Sequence, residues 1–123
     1  MRPTAILLGI IGFAVRPTLA QDPVKVDPVH YKVQFENDQV RVLRIAYGPH
    51  DKSVMHYHPA SVAVFLTDTK GQFTLPGGKV LRDSAKAGET RWGDAETHLP
   101  ENLTDKPFEL ILVELKTRSP ARR

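Results

Sequence analysis

After residue 20 the chain holds no sustained 3.6-residue apolar period. Short apolar stretches are instead cut by turn residues about every eight to twelve positions. The stretches are Tyr31 to Phe35, Val40 to Tyr47, Val62 to Leu66, Gln72 to Leu75, Lys79 to Arg82, Thr90 to Trp92 and Phe108 to Leu115. Several keep period two: Tyr31, Val33 and Phe35 alternate with Lys32 and Gln34, and Val40 and Val42 flank Arg41. Between them fall Asn37-Asp38, Gly48-Pro49, Lys70-Gly71, Pro76-Gly77-Gly78 and Lys86-Ala87-Gly88, all turn chemistry. This pattern predicts an all-β domain, an antiparallel sandwich or barrel, without a major helix. Phe108 to Leu115 is the most hydrophobic stretch after the leader and reads as a strand buried on both faces, centrally or at a subunit contact.

The ends of the chain read differently. Arg2 precedes Ala5 to Val15, an eleven-residue run without charge, and Thr18-Leu19-Ala20 offers small residues for cleavage before Gln21. Residues 1–20 therefore read as a secretory signal peptide, with a periplasmic or secreted destination. The run is too short to span a bilayer comfortably, and no stable membrane span is expected after cleavage. Residues 21–29 read as a polar linker or edge strand, and 118–123 as a solvated tail. Losing Arg2 and Arg16 leaves 15 basic against 14 acidic residues, a net charge of +1 in place of +3. No clustered basic face remains, so no nucleic-acid partner is expected. The chain has no cysteine. Thiolate metal sites, cysteine nucleophiles and disulfides are excluded, and the fold must rest on packing, helped by a metal or a dimer interface.

Histidine placement carries the chemistry. His56 and His58 stand at i and i+2, on one face if the segment is a strand, and His98 follows forty residues later. A neighbouring strand carrying His98 would bring three imidazoles together as a transition-metal site. His30 and His50 lie outside this set and read as surface residues.

Two segments give the pattern a family likeness. Gly48-Pro49-His50-Asp51-Lys52-Ser53-Val54-Met55-His56-Tyr57-His58 resembles the first cupin motif, a glycine turn leading into a His-x-His strand. Gly88 to His98, followed by Asn102, resembles the second, and the Pro76-Gly77-Gly78 turn resembles the link between them. Val62 to Asp68, Phe73 to Pro76 and His98 to Asn102 are similar to small single-domain cupins labelled β-alanine-degradation proteins. The likeness runs from about Val40 to Leu115. It implies a single cupin domain over 30–117: an antiparallel double-stranded β-helix, or jelly-roll barrel.

The resemblance also implies one divalent transition metal (iron, zinc, copper or nickel) on His56, His58 and His98, a small-molecule ligand, and a homodimer. Two departures stand out. Where cupins usually supply a glutamate ligand after the His-x-His pair, this chain has Ser61, Val62 and Ala63. Where many place Pro-x-Gly, it has Asp94-Ala95-Glu96, putting a glutamate where a positive-φ glycine is usual. Either that turn is rebuilt or Glu96 is present for its carboxylate, as a metal ligand, an orienting partner or an acid–base group. Glu101 reads as solvent-exposed, and Asn102 as a backbone hydrogen-bonding residue. Tyr57, Arg91 and Trp92 are candidates to contact the substrate, with Arg91 able to clamp a carboxylate. Three-histidine cupins include iron-dependent dioxygenases acting on small dicarbonyl or thiol substrates. The expected function is thus a metal-dependent enzyme on a small carboxylated or dicarbonyl-type molecule. The alternative is a cupin that binds or senses a ligand without turnover.

Overall fold

A computed structural model describes residues 21–117. The expected leader, 1–20, and the expected tail, 118–123, lie outside the described residues. Nine strands follow one short helical turn. They are β1 (Tyr31–Glu36), β2 (Val40–Tyr47), β3 (His56–His58), β4 (Ser61–Phe65), β5 (Thr69–Thr74), β6 (Val80–Ala85), β7 (Thr90–Gly93), β8 (Glu96–Asn102) and β9 (Phe108–Leu115). A five-stranded sheet in the order β1-β2-β9-β4-β7 faces a four-stranded sheet in the order β3-β8-β5-β6, and every pairing is antiparallel.

The inner face is not the one the local alternation suggests: Val33 and Phe35 are exposed, Val42 faces outward, and Arg41 turns inward with the next three residues of its parity. In β2, Arg41, Leu43, Ile45 and Tyr47 share one face and pair with Glu114, Leu112, Leu110 and Phe108 of β9. The buried core is Tyr31, Leu43, Ile45, Tyr47, Phe108 and Leu112. β9 lies between β2 and β4, the central of the two places read for it, but only one of its faces is in the core. Phe108, Leu112 and Glu114 are buried, while the residues between them are half-buried. The opposite parity faces outward and is also apolar: Phe35, Val42, Val113, Val62 and Trp92 form one cross-strand row over all five strands.

Three local features depart from the sequence reading. Within 21–29, Pro23–Val26 forms a helical turn, α1, capped by the Asp22 side chain accepting from the Val24 N–H. The turn before His98 is confined to Asp94 and Ala95, between β7 and β8. Glu96 opens β8 in register with His58, and among the described residues only His50 is a non-glycine with positive φ. Glu96 thus stands in a strand and not in the turn, which removes any strain on it. Pro100 is tolerated inside β8 because pairing to β3 ends at His98 and pairing to β5 begins at Leu99. The Pro76-Gly77-Gly78 turn does join two strands, β5 and β6, with φ near 91° and 96° at its glycines, a conformation that costs glycine little. Asn102 is fully buried, its amide donating to the carbonyls of Gly48 and Lys106 while its oxygen accepts from Thr104.

Candidate metal centre

Strand pairing brings the three histidines together. His56 and His58 point inward from β3, and the register sets His56 opposite His98 and His58 opposite Glu96. The imidazole centroids are 4.8 to 5.2 Å apart. One nitrogen from each ring falls within 4.8 Å of the others, and no other such group of histidine, aspartate or glutamate occurs among the described residues.

The hydrogen bonds sort the two nitrogens of each ring. His56 donates from Nδ1 to the Val54 carbonyl at 2.8 Å. His58 donates from Nδ1 to Glu114 Oε2 at 2.7 Å, and His98 from Nδ1 to Glu96 Oε2 at 3.0 Å. Each Nδ1 proton is therefore spoken for, and each Nε2 presents a lone pair to the centre. His56 Nε2 and His58 Nε2 lie 3.0 Å apart. Two lone pairs that close repel unless a cation stands between them. The spacing suits adjacent ligands of one ion whose metal–nitrogen bonds are about 2.0–2.1 Å. Burial first, and then repulsion of a second positive charge by the neighbouring histidines, hold His56 down at about 4 and His98 at about 2. Both rings are thus neutral donors at physiological pH, and the donor set fits a divalent transition metal.

Behind His58 runs a line of charge the sequence reading missed. Glu114 accepts from His58 on one oxygen and from Arg41 Nε, at 2.7 Å, on the other. Arg41 then spans both oxygens of Asp22 at 2.8 and 3.0 Å. Burial pushes the Glu114 carboxyl up, but the bonds and charges of His58 and Arg41 outweigh it and hold it below the ordinary value. Glu114 stands opposite Ser61, the start of the segment where a cupin's glutamate ligand would be sought. The carboxylate lies on the adjacent strand and holds the Nδ1 side of His58, away from the point where the three rings converge. Its signal was present in the sequence: Glu114 has the inward parity of Phe108, Leu110 and Leu112, and a lone carboxylate at such a position needs a buried partner.

His30 needs correction as well. It is not a surface residue. Its side chain is 12% exposed, stacks on Tyr47 at 4.4 Å, and donates from Nδ1 to Asp27 (2.7 Å) and from Nε2 to Asp51 (3.0 Å). Burial pulls its pKa down, but the bonds to Asp27 and Asp51 outweigh that and leave it raised. Ser53 Oγ also donates to Asp27, at 2.5 Å. His50 stays in an exposed loop and pairs with Asp105.

A cavity of about 280 Å³ opens from His58 and His98. Glu96, Arg91, Trp92 and Glu101 line it. Glu96 is half-exposed, and burial raises its pKa. Trp92 borders the cavity only through its place in β7. Its side chain has the outward parity of Val62, is 56% exposed, and donates from the indole N–H to Asp94, so it does not point at the histidines. Tyr57 does not reach this space: strand alternation turns it away from the two histidines, into a second hollow beside Asp22, Arg41 and Pro59. It is withdrawn as a contact residue for a ligand at the histidines.

The sequence matches no family model and no curated protein. Comparison of folds is more informative. A cupin domain from Bordetella pertussis Tohama I is similar over 71% of this chain and 92% of its own length, with 22% identity and a TM-score of 0.65. An RmlC-like cupin with a double-stranded β-helix fold from Methanocaldococcus jannaschii aligns over 69% and 77%, with 14% identity and a TM-score of 0.56. The polyketide cyclase RemF from Streptomyces resistomycificus aligns over 73% and 66%, with 15% identity and a TM-score of 0.53. The chain therefore has the cupin fold, the double-stranded β-helix, and carries a three-histidine cluster that could hold a metal ion.

Proposed function

We propose that the protein is a metal-dependent enzyme of oxygenase type, acting on a small molecule that chelates one divalent transition metal held by His56, His58 and His98. One observation carries the reading: all three Nδ1 protons are committed elsewhere, and the three Nε2 lone pairs converge. A metal bound there supplies Lewis acidity and, as iron, oxygen chemistry, with positions left open beyond the three imidazoles. The chain's own residues do the rest. Val54, Glu114 and Glu96 fix the ring orientations. Glu96, beside the cavity with a raised pKa, accepts a proton from the ligand's head group at its carboxylate. Phe73, stacked on His98 at 4.7 Å, keeps water from that side of the site.

Of the two substrate types read from the sequence, a dicarbonyl-type head group fits better than a clamped carboxylate. Arg91 is already engaged by Asp83, Glu89 and the Ser84 carbonyl. The test is oxygen consumption by iron-loaded protein with small 1,3-dicarbonyl substrates, beside His56→Ala. Turnover lost in the variant supports the reading. Binding of the dicarbonyl without turnover would assign the site to recognition instead.

The leader at 1–20 supports export, and a fusion of residues 1–20 to a periplasm-dependent reporter tests it. The apolar row over the five-stranded sheet supports a homodimer packed face to face. Its ends, Phe35 and Trp92, are more than half exposed, and the paired Arg44 and Glu109 beside it give a second copy both signs of charge to meet. Sedimentation should show a dimer that Val62→Lys or Val113→Lys dissociates; a wild-type monomer at micromolar concentration would overturn this.

A further inference from the structure

The walls of the cavity are sorted by depth. Its inner part is built from Ile45, Phe65, Phe73, Phe108, Leu110 and Leu112, drawn from both sheets. The carboxylates that line it number four, Asp83, Asp94, Glu96 and Glu101, against one lysine or arginine, Arg91. That cation is not free. Its guanidinium lies over the Phe65 ring at 5.4 Å and donates to Asp83 at 2.5 Å, to Glu89 and to the Ser84 carbonyl. Asp83 is matched by Arg91 and Glu101 has Lys52 at 3.9 Å, so the excess of negative charge rests on Asp94 and Glu96, whose donors are the Trp92 indole and His98. A remote carboxylate entering the cavity would meet that excess at the rim and apolar surface within. Either would leave it unpaired in a poorly solvated place.

The histidine end has the opposite character. Three neutral imidazoles leave a divalent ion its whole charge, so oxygen donors, including an ionised enol or phenol, are favoured there and nowhere else along the cavity. The volume, about 280 Å³, compares with the roughly 150 Å³ of an apolar cavity that takes up benzene. There is room for one ring together with a chelating head.

Resting on the metal reading of the site, we infer that its ligand is a small, largely apolar and preferably aromatic molecule, with its chelating oxygens at one end and no charge at the other. Phe73 stacks face to face on His98, with 16° between the rings, and is an aromatic surface of the cavity wall next to the histidine end. The acidic rim is the filter against anionic tails.

A matched pair of probes tests this: 1-phenylbutane-1,3-dione and its para-carboxylate, which share a head and differ only in the remote charge. Both are titrated calorimetrically into cobalt-loaded and into metal-free protein, after metal content is measured. The uncharged probe should bind at least ten times more tightly, and Asp94→Asn/Glu101→Gln should narrow the gap about threefold or more. Equal binding, tighter binding of the carboxylate, or no binding of either probe to loaded protein would overturn the inference. Failure to take up cobalt would instead defeat the metal reading. In that case the metal-free titration still decides: the same ranking upholds the apolar filter, and its absence removes it.

Discussion

Behind the three histidines and in front of them, the barrel treats charge in opposite ways. Behind, Asp22, Arg41, Glu114 and His58 form one line in which each group is bonded on both sides where it can be, and Glu114 is 3% exposed. In front, Asp94, Glu96 and Glu101 stand around a cavity that remains open, and Glu96 is 41% exposed. Both regions supply a carboxylate to a histidine Nδ1, Glu114 to His58 and Glu96 to His98. The difference is what else each carboxylate does. Glu114 has no spare lone-pair direction toward solvent and serves rigidity. Glu96 keeps an oxygen for the cavity and is available for chemistry.

The largest effect should come from Glu114. Glu114→Ala leaves Arg41 and His58 facing a buried gap, and denaturant unfolding should show a loss of about 3–5 kcal/mol. Glu96→Ala, at a half-exposed position, should cost under about 1 kcal/mol by the same measurement. Comparable losses would mean the two carboxylates are equivalent and the contrast is false.

Metal affinity should separate them next. Glu114→Gln should weaken metal binding by about 10–100-fold in competition with a chromophoric chelator. Glu96→Gln should weaken it less and act mainly on turnover. An unchanged affinity in Glu114→Gln would remove Glu114 from the metal site.

A smaller effect appears in the pH dependence of the metal-free protein. His56 and His98 are held below their ordinary value, so the unfolded chain takes up protons that the folded rings refuse. Stability should therefore fall as pH drops below 6.5. His30 is held above that value. Its contribution is complete below 6.5 and is lost as pH rises through its folded pKa. His30→Gln should thus cost about 1–2 kcal/mol at pH 6 and less at pH 9, in thermal or urea unfolding. A cost that grows with pH would show that His30 is not the cation between Asp27 and Asp51. Smallest of all, Asp94→Asn should stay within about 0.5 kcal/mol of wild type in stability.

Much of this was legible in the sequence, and the gaps have physical causes. The extents of β2 and β9 could be read from their apolar length, but their faces could not. Val40 and Val42 alternate with Arg41, yet Arg41 turns inward because Glu114 meets it there, and β9 has one inner face instead of two. The histidine pair was legible because i and i+2 share a face on any strand. β8 was not, because Pro100 marks a turn in local terms and only the change of partner strand makes it harmless. α1 was hidden by two prolines and a polar composition. His30 read as surface because its partners, Asp27 and Asp51, meet only after the chain has folded over itself. The role of Glu114 depended on β9 lying beside both β2 and β4, a non-local pairing that no window of sequence contains.

The central claim is that His56, His58 and His98 hold one metal ion. Elemental analysis of the protein, purified without chelator or histidine tag and then reconstituted, tests it most directly beside His56→Ala/His98→Ala. About one equivalent of iron, zinc, copper or nickel, retained through gel filtration and lost in the double variant, is the predicted result. A folded wild-type protein that takes up no metal, or a double variant that keeps it, would contradict the account.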